Sequence, residues 1–124
     1  MSLRILLLIL ASVSLSALAQ ISLKSGMASA RVQQALAESH RLQAVLTVAG
    51  NPHVVLGLLL YCLGAVLWLL VLARLDVSFA YPFVGLGFVL TMLLGFLFFD
   101  EPVGSLRLTG TLLVVAGVVL VART

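Results

Sequence analysis

A line of polar side chains runs through the first apolar stretch of the sequence. Its members are spaced four residues apart: Ser12, Ser16, Gln20 and Lys24. This spacing places them on one face of a helix. Hydroxyl and amide groups can hydrogen-bond a hydroxylated ligand, and a lysine at the end of the line can attract a phosphate. We therefore predict a binding surface for a head group of that kind. A structural interpretation stays open, in which the serines pack against another helix and the lysine extends to the membrane border.

The sequence contains no pattern typical of catalysis or metal binding. His40 and His53 are far apart along the chain, Cys62 is the single cysteine, and no carboxylate lies in the middle of an apolar stretch. Acid–base catalysis needs such groups together in a pocket. We therefore expect no enzyme, no cofactor and no metal site. The seven Lys and Arg residues are scattered singly, which argues against a nucleic acid partner.

The composition indicates a membrane protein. Of 124 residues, 63% are hydrophobic and 9% are charged. A soluble domain of this size cannot bury so much apolar surface, whereas lipid solvates it directly. Membrane lipids are therefore an expected partner.

Four apolar stretches are long enough to cross a hydrocarbon core as helices, at about 17 residues or more. They are residues 3–23, 53–73, 77–99 and 106–122. We predict an all-α integral membrane protein with four transmembrane helices in one domain, residues 1–124. The first stretch also fits a secretory signal peptide that ends at Ala17-Leu18-Ala19. Apolar character continues through Ile21 and Leu23, which favours a membrane span.

The polar segment 25–52 separates the first two spans. Apolar and polar residues alternate at helical spacing over 30–49, so we predict either an interfacial helix or a solvated helical linker. Three basic residues flank the spans on one side and four on the other. The membrane orientation therefore stays open.

The last two spans contain features that affect helix geometry. Pro82 removes a backbone donor, and we expect it to bend the third helix. Gly110 and Gly117 are seven residues apart on the fourth helix, where small residues allow close approach of another helix. The adjacent Asp100 and Glu101 border the start of that helix, where its dipole favours negative charge.

Three segments carry a resemblance to a known family. They are Trp68-Leu69-Leu70-Val71-Leu72, Ala80-Tyr81-Pro82 and Glu101-Pro102-Val103. With them the sequence resembles the small four-helix members of the drug/metabolite transporter superfamily, of the EamA and small multidrug resistance type. It is most similar to the subunits of the bacterial aminoarabinose-phosphoundecaprenol flippase.

The resemblance implies a fold like that of the small multidrug resistance proteins, assembled as a homodimer or as a heterodimer with a related small subunit. Gly110 and Gly117 match the glycine pair at which such dimers form. The implied function is translocation of a polyprenyl-phosphate-linked sugar, such as an undecaprenyl phosphate derivative, or a similar amphipathic lipid, across the bacterial inner membrane. Ser12, Ser16, Gln20 and Tyr81 would then face a central cavity, with Lys24 at the phosphate.

Two other functions stay open. A small multidrug exporter of cationic molecules carries a glutamate in its first helix, and Ser16 stands at the matching position here. That departure favours the flippase-like members, which also lack the glutamate. The other alternative is a membrane adaptor that transports nothing and associates with a larger partner through Gly110 and Gly117.

Overall fold

A computed structural model describes residues 1–38 and 40–124 of the chain, and the secondary structure it shows there is helical. The helices in chain order are α1 (Leu3–Met27), α2 (Ala30–Ala37), α3 (Arg41–Gly50), α4 (Pro52–Leu72), α5 (Val77–Ala80), α6 (Leu86–Phe99) and α7 (Ser105–Ala122). A 3-10 segment, Tyr81–Gly85, connects α5 to α6. We refer to Val77–Phe99 as the third span.

Four of these segments have the length and apolar character of membrane spans, as predicted. They are Leu3–Met27, Pro52–Leu72, Val77–Phe99 and Ser105–Ala122, with 25, 21, 23 and 18 residues. Helices form here because lipid offers no hydrogen-bond partner to a free backbone group. The protein is therefore an all-α, four-span membrane protein.

Helices α1 and α4 make the closest contact in the fold. A Cβ atom added to Gly57 would lie 2.7 Å from Leu23 Cγ, and one added to Gly64 would lie 3.2 Å from the Ser12 carbonyl oxygen. The Ser12 hydroxyl donates to the Gly64 carbonyl at 2.7 Å, and Ser22 donates to His53 O at 2.6 Å. Glycines that admit a neighbouring backbone, together with hydrogen bonds across the contact, are the usual means of helix association in lipid.

The third span is not a continuous α-helix. Its α-helical hydrogen bonding changes to 3-10 over Tyr81–Gly85, the segment that contains Pro82. Proline lacks the backbone N–H that an α-helix needs at that position, and a tighter turn accommodates the loss. Phe83, from this segment, is buried with Ile9 of α1, Val71 of α4 and Val118 of α7. The irregular segment therefore lies where all four spans meet.

The segment between the first two spans forms two helices, where we predicted one over 30–49. Helix α2 ends at Ala37 and α3 begins at Arg41, because Glu38 has extended backbone. Val32 and Ala35 of α2 are buried, whereas α3 has no buried residue. Asn51 then caps α4 by accepting hydrogen bonds from the backbone N–H groups of His53 and Val54.

Helix α7 lies at the outside of the fold. Only 6% of its most apolar 18-residue window is buried within the chain, compared with 28% for α1. Most of its surface is therefore left for lipid or another protein.

Candidate functional site

A cavity of about 560 Å³ lies between α1, α4 and the third span. We call it the larger cavity. Its volume is within the range of small-molecule sites, roughly 300–1,000 Å³. It is lined by Ser12, Val13, Ser16, Ala17, Gln20, Tyr61, Gly64, Ala65, Trp68, Tyr81, Val84, Gly87, Phe88 and Thr91. Three of the four residues of the predicted polar line, together with Tyr81, are in that set.

The polar wall of the larger cavity comes from α1. Ser12 is 3% exposed, and its hydroxyl hydrogen is engaged on the Gly64 carbonyl. This residue therefore has the helix-packing role that was the structural alternative, and its oxygen can still accept a hydrogen bond. Ser16 is half-buried and Gln20 is exposed. A hydroxyl and an amide of α1 thus face the larger cavity.

The opposite wall is aromatic, and sequence reasoning identified only part of it. Tyr61 and Trp68 of α4 join Tyr81 and Phe88 of the third span around the larger cavity. Tyr61 and Trp68 are seven residues apart, with Gly64 between them on the same face of α4. That spacing was the available signal. Rings of this kind offer large apolar faces, and tyrosine and tryptophan also offer a polar edge.

A second, smaller cavity of about 190 Å³ adjoins the first. Lys24, the last residue of the polar line, lines this cavity and not the larger one. Gln20 and Thr91 line both cavities and so connect them. Lys24 lies near the C-terminal end of α1, so the smaller cavity is at one border of the membrane span.

Glu101 is the second charged residue in the smaller cavity. We expected it at the dipole of the fourth helix, which is wrong because α7 has no acidic residue in its first turn. Instead, α6 ends at Phe99, the next residue, Asp100, has a left-handed backbone with φ 51°, and the Glu101 N–H donates to the Gly95 carbonyl. This turn directs the Glu101 side chain back over α6, where a Cβ added to Gly95 would lie 2.5 Å from Glu101 Oε2.

The remaining predicted residues lie outside both cavities. Pro82 is in the 3-10 segment, next to Tyr81. Gly110 and Gly117 are exposed on α7, and a Cβ added to either would meet no atom within 4 Å. The fold therefore leaves these two glycines open on the outer helix.

The two cavities offer groups that can bind a ligand. Within residues 1–38 and 40–124, no group of three or more His, Cys, Asp or Glu side chains is arranged to hold a metal ion. The cavities offer hydroxyl, amide and phenol groups, aromatic faces, one cation and one carboxylate. Such a set suits an amphipathic ligand with a hydroxylated, charged head group.

Comparison with known proteins gives a consistent result. Residues 8–122 match the family model of putative transmembrane family 234. A probable 4-amino-4-deoxy-L-arabinose-phosphoundecaprenol flippase subunit ArnE from Pseudomonas aeruginosa is 49% identical over 74 residues, covering 60% of this chain and 64% of the relative. The subunit of the same name from Escherichia coli is 40% identical over 89 residues, covering 66% of this chain and 80% of the relative.

A third relative of that name, from Pseudomonas syringae, is 47% identical over 70 residues, covering 55% of this chain and 65% of the relative. The chain thus matches less than two thirds of the length of its Pseudomonas relatives. No solved structure matches it significantly. The resemblance to flippase subunits is confirmed, and with four apolar helices the chain is a multi-pass protein of the bacterial inner membrane.

Proposed function

The chain belongs to putative transmembrane family 234, and we propose that it is a flippase subunit that moves a polyprenyl-phosphate-linked sugar across the inner membrane. One observation carries this proposal. Ser12, Ser16 and Gln20 of the polar line and the aromatic wall line a cavity of about 560 Å³ between three membrane-spanning segments. Polar groups that face the interior of a membrane protein generally mark a substrate path. The relatives named as flippase subunits supply the substrate class.

In this proposal the sugar lies where the two cavities meet, at Gln20 and Thr91, and extends into the larger one. Ser16 and Gln20 hydrogen-bond its hydroxyls, while Tyr81 and Trp68 pack against its apolar faces. Lys24 pairs with the phosphate in the adjoining smaller cavity. The polyprenyl tail stays in the bilayer, whose apolar interior it matches.

The larger cavity is open toward the outside of the single chain. Tyr81 lines it and is nevertheless 64% exposed. We infer that a second four-helix chain, identical or related, closes the cavity. The open glycines of α7, Gly110 and Gly117, support a contact with that chain because a neighbouring helix can approach them closely.

Transport by reconstituted protein tests the proposal. The chain, purified with any partner that remains bound, is placed in vesicles whose inner leaflet carries a polyprenyl-phosphate-linked sugar, and arrival of the sugar at the outer leaflet is measured. We expect transport by the wild type and its loss in Lys24→Met. An Arg31→Met control removes a cation from α2, outside both cavities, and should transport normally.

The two alternatives predict other outcomes of the same experiment. Proton-dependent movement of a cationic dye, without movement of the lipid, would assign the chain to the small multidrug exporters. Movement of neither substrate, together with tight association with a larger protein, would assign it to the adaptors. Undiminished lipid transport by Lys24→Met would remove Lys24 from the site.

A further inference from the structure

The smaller cavity contains two opposite charges, and the phosphate of the proposed substrate accounts for only one of them. Lys24 enters from α1, and Glu101 enters from the turn after α6. Glu101 is half-buried although it follows directly after the exposed Asp100. A carboxylate that is partly withdrawn from water needs a compensating interaction.

The local backbone is built in a way that holds the Glu101 carboxylate at the cavity. The left-handed conformation of Asp100 reverses the chain, and the Glu101 N–H is bonded to the Gly95 carbonyl at 3.2 Å. Aspartate is among the few residues with a side chain that adopt this conformation readily. Gly95 has no side chain, and its missing Cβ leaves the space that Glu101 Oε2 occupies. The turn at Asp100, the hydrogen bond to the Gly95 carbonyl and the space above Gly95 thus hold the Glu101 carboxylate at the smaller cavity.

The remaining lining of the smaller cavity suits a polar ligand held between the two charges. Thr91 donates its hydroxyl hydrogen to the Gly87 carbonyl at 2.9 Å, so its oxygen is left as an acceptor. The Gln20 amide is both donor and acceptor. The volume of about 190 Å³ is below that of a typical small-molecule site, roughly 300–1,000 Å³, so the smaller cavity suits the charged part of a head group.

We infer that Glu101 binds a cationic amine on the sugar while Lys24 binds the phosphate, so that the smaller cavity selects an amino sugar over a neutral one. This inference rests on the proposed function, since it concerns the head group of the same lipid. A neutral sugar leaves the half-buried carboxylate without a partner, and an unpaired charge costs more than the lost contact alone. Glu101 is then a specificity-determining residue.

Binding of two synthetic lipids tests the inference. Both are polyprenyl phosphates linked to a pentose; one carries an amine, and the other has a hydroxyl in its place. Trp68 is the single tryptophan of the chain and lines the larger cavity, so its fluorescence reports binding. We expect the wild type in nanodiscs to bind the amine form about tenfold more tightly, the ratio that corresponds to one hydrogen bond to a charged group.

Glu101→Gln should remove this preference by weakening binding of the amine form alone. Asp100→Asn is the matched control, since it removes the neighbouring charge, tolerates the left-handed backbone, and lies outside the cavity. It should bind as the wild type does. Gly95→Ala is a second variant that keeps every charge; its Cβ displaces the carboxylate, the movable end of a flexible side chain, and it should reduce the preference as well.

The outcomes separate this inference from the proposed function. Equal binding of both lipids by the wild type, or an undiminished preference in Glu101→Gln, would overturn the role of Glu101 and leave the flippase proposal intact. Equal weakening of both lipids by Glu101→Gln would also overturn it, because the residue would then be structural. If the wild type binds neither lipid, the proposed function itself is wrong.

Discussion

Replacing Gly57 with alanine tests the contact between α1 and α4 that forms one side of the larger cavity. The added Cβ would lie 2.7 Å from Leu23 Cγ and 3.0 Å from the Ala19 carbonyl oxygen. Ordinary contact begins at 3.4 Å, so the gap must widen by about 0.7 Å. Backbone and a branched carbon line this gap, and neither can turn aside as the end of a flexible side chain can.

The expected cost follows from this geometry. Overpacking of this kind costs about 1–3 kcal/mol. The hydrogen bonds from Ser12 to Gly64 and from Ser22 to His53 cross the same contact at 2.7 and 2.6 Å. Such bonds contribute about 0.6 kcal/mol each in membrane proteins, and a wider gap weakens both. The total is about 1–4 kcal/mol.

Gly110→Ala is the matched control. It makes the same chemical change inside a membrane helix, and so has the same effect on helix propensity, but its Cβ would meet no atom within 4 Å. Both variants are unfolded by SDS in mixed micelles, at a dilution where the chains are monomeric, with Trp68 fluorescence as the signal. We expect Gly57→Ala to be less stable than Gly110→Ala by about 1–4 kcal/mol. A difference below about 0.5 kcal/mol would refute this description of the contact.

Three further predictions concern the site and the outer helix. Lys24→Met should weaken binding of a polyprenyl phosphate about tenfold or more, because a charge-assisted contact with the phosphate is lost, whereas Arg31→Met should not. Trp68 fluorescence measures both affinities, and equal values would exclude Lys24 from the site. Ser12→Ala should lower the free energy of unfolding by about 0.6–1.7 kcal/mol, whereas substitution of the exposed Ser14 by alanine should change it little. Equal stabilities of the two variants in an SDS titration would show that the hydrogen bond from Ser12 to Gly64 contributes nothing. Gly117→Leu should shift cross-linked protein from dimer to monomer without changing monomer stability, and an unchanged dimer fraction would place the interface elsewhere.

The helices could be predicted because lipid imposes simple requirements on the sequence. An apolar stretch of about 20 residues has to form a helix in the bilayer, and the four predicted spans agree with the structure to within a few residues. Only α1 extends appreciably further, to Met27, because a polar end such as Lys24-Ser25 can continue as helix beyond the hydrocarbon core.

The α1–α4 contact was less visible in the sequence. The apolar run around Gly57 and Gly64 carries one hydroxyl, on Tyr61, and a single phenol does not show which face packs against another helix. Their seven-residue spacing equals that of Gly110 and Gly117, so spacing alone does not tell which pair packs within the chain. In the structure the first pair packs against α1, and the second pair is open.

The position of Glu101 depends on backbone geometry that the sequence does not specify. The sequence Asp100-Glu101-Pro102 fits the start of a helix as well as the end of one. The left-handed conformation at Asp100 is what brings the Glu101 side chain next to Gly95 and into the lining of the smaller cavity, which Lys24 also lines. By contrast, the line from Ser12 to Lys24 follows directly from helical spacing, and for this reason it was found without the structure.

The central claim is that this chain carries a polyprenyl-phosphate-linked sugar, and native mass spectrometry tests it most directly. The protein is released gently from its own membrane and its intact mass is measured with whatever remains bound. The proposal predicts a dimer with an additional mass equal to a polyprenyl phosphate or its glycosylated form, and loss of that mass in Lys24→Met. A dimer that never carries such a lipid, or a single chain bound only to a large partner, would contradict it.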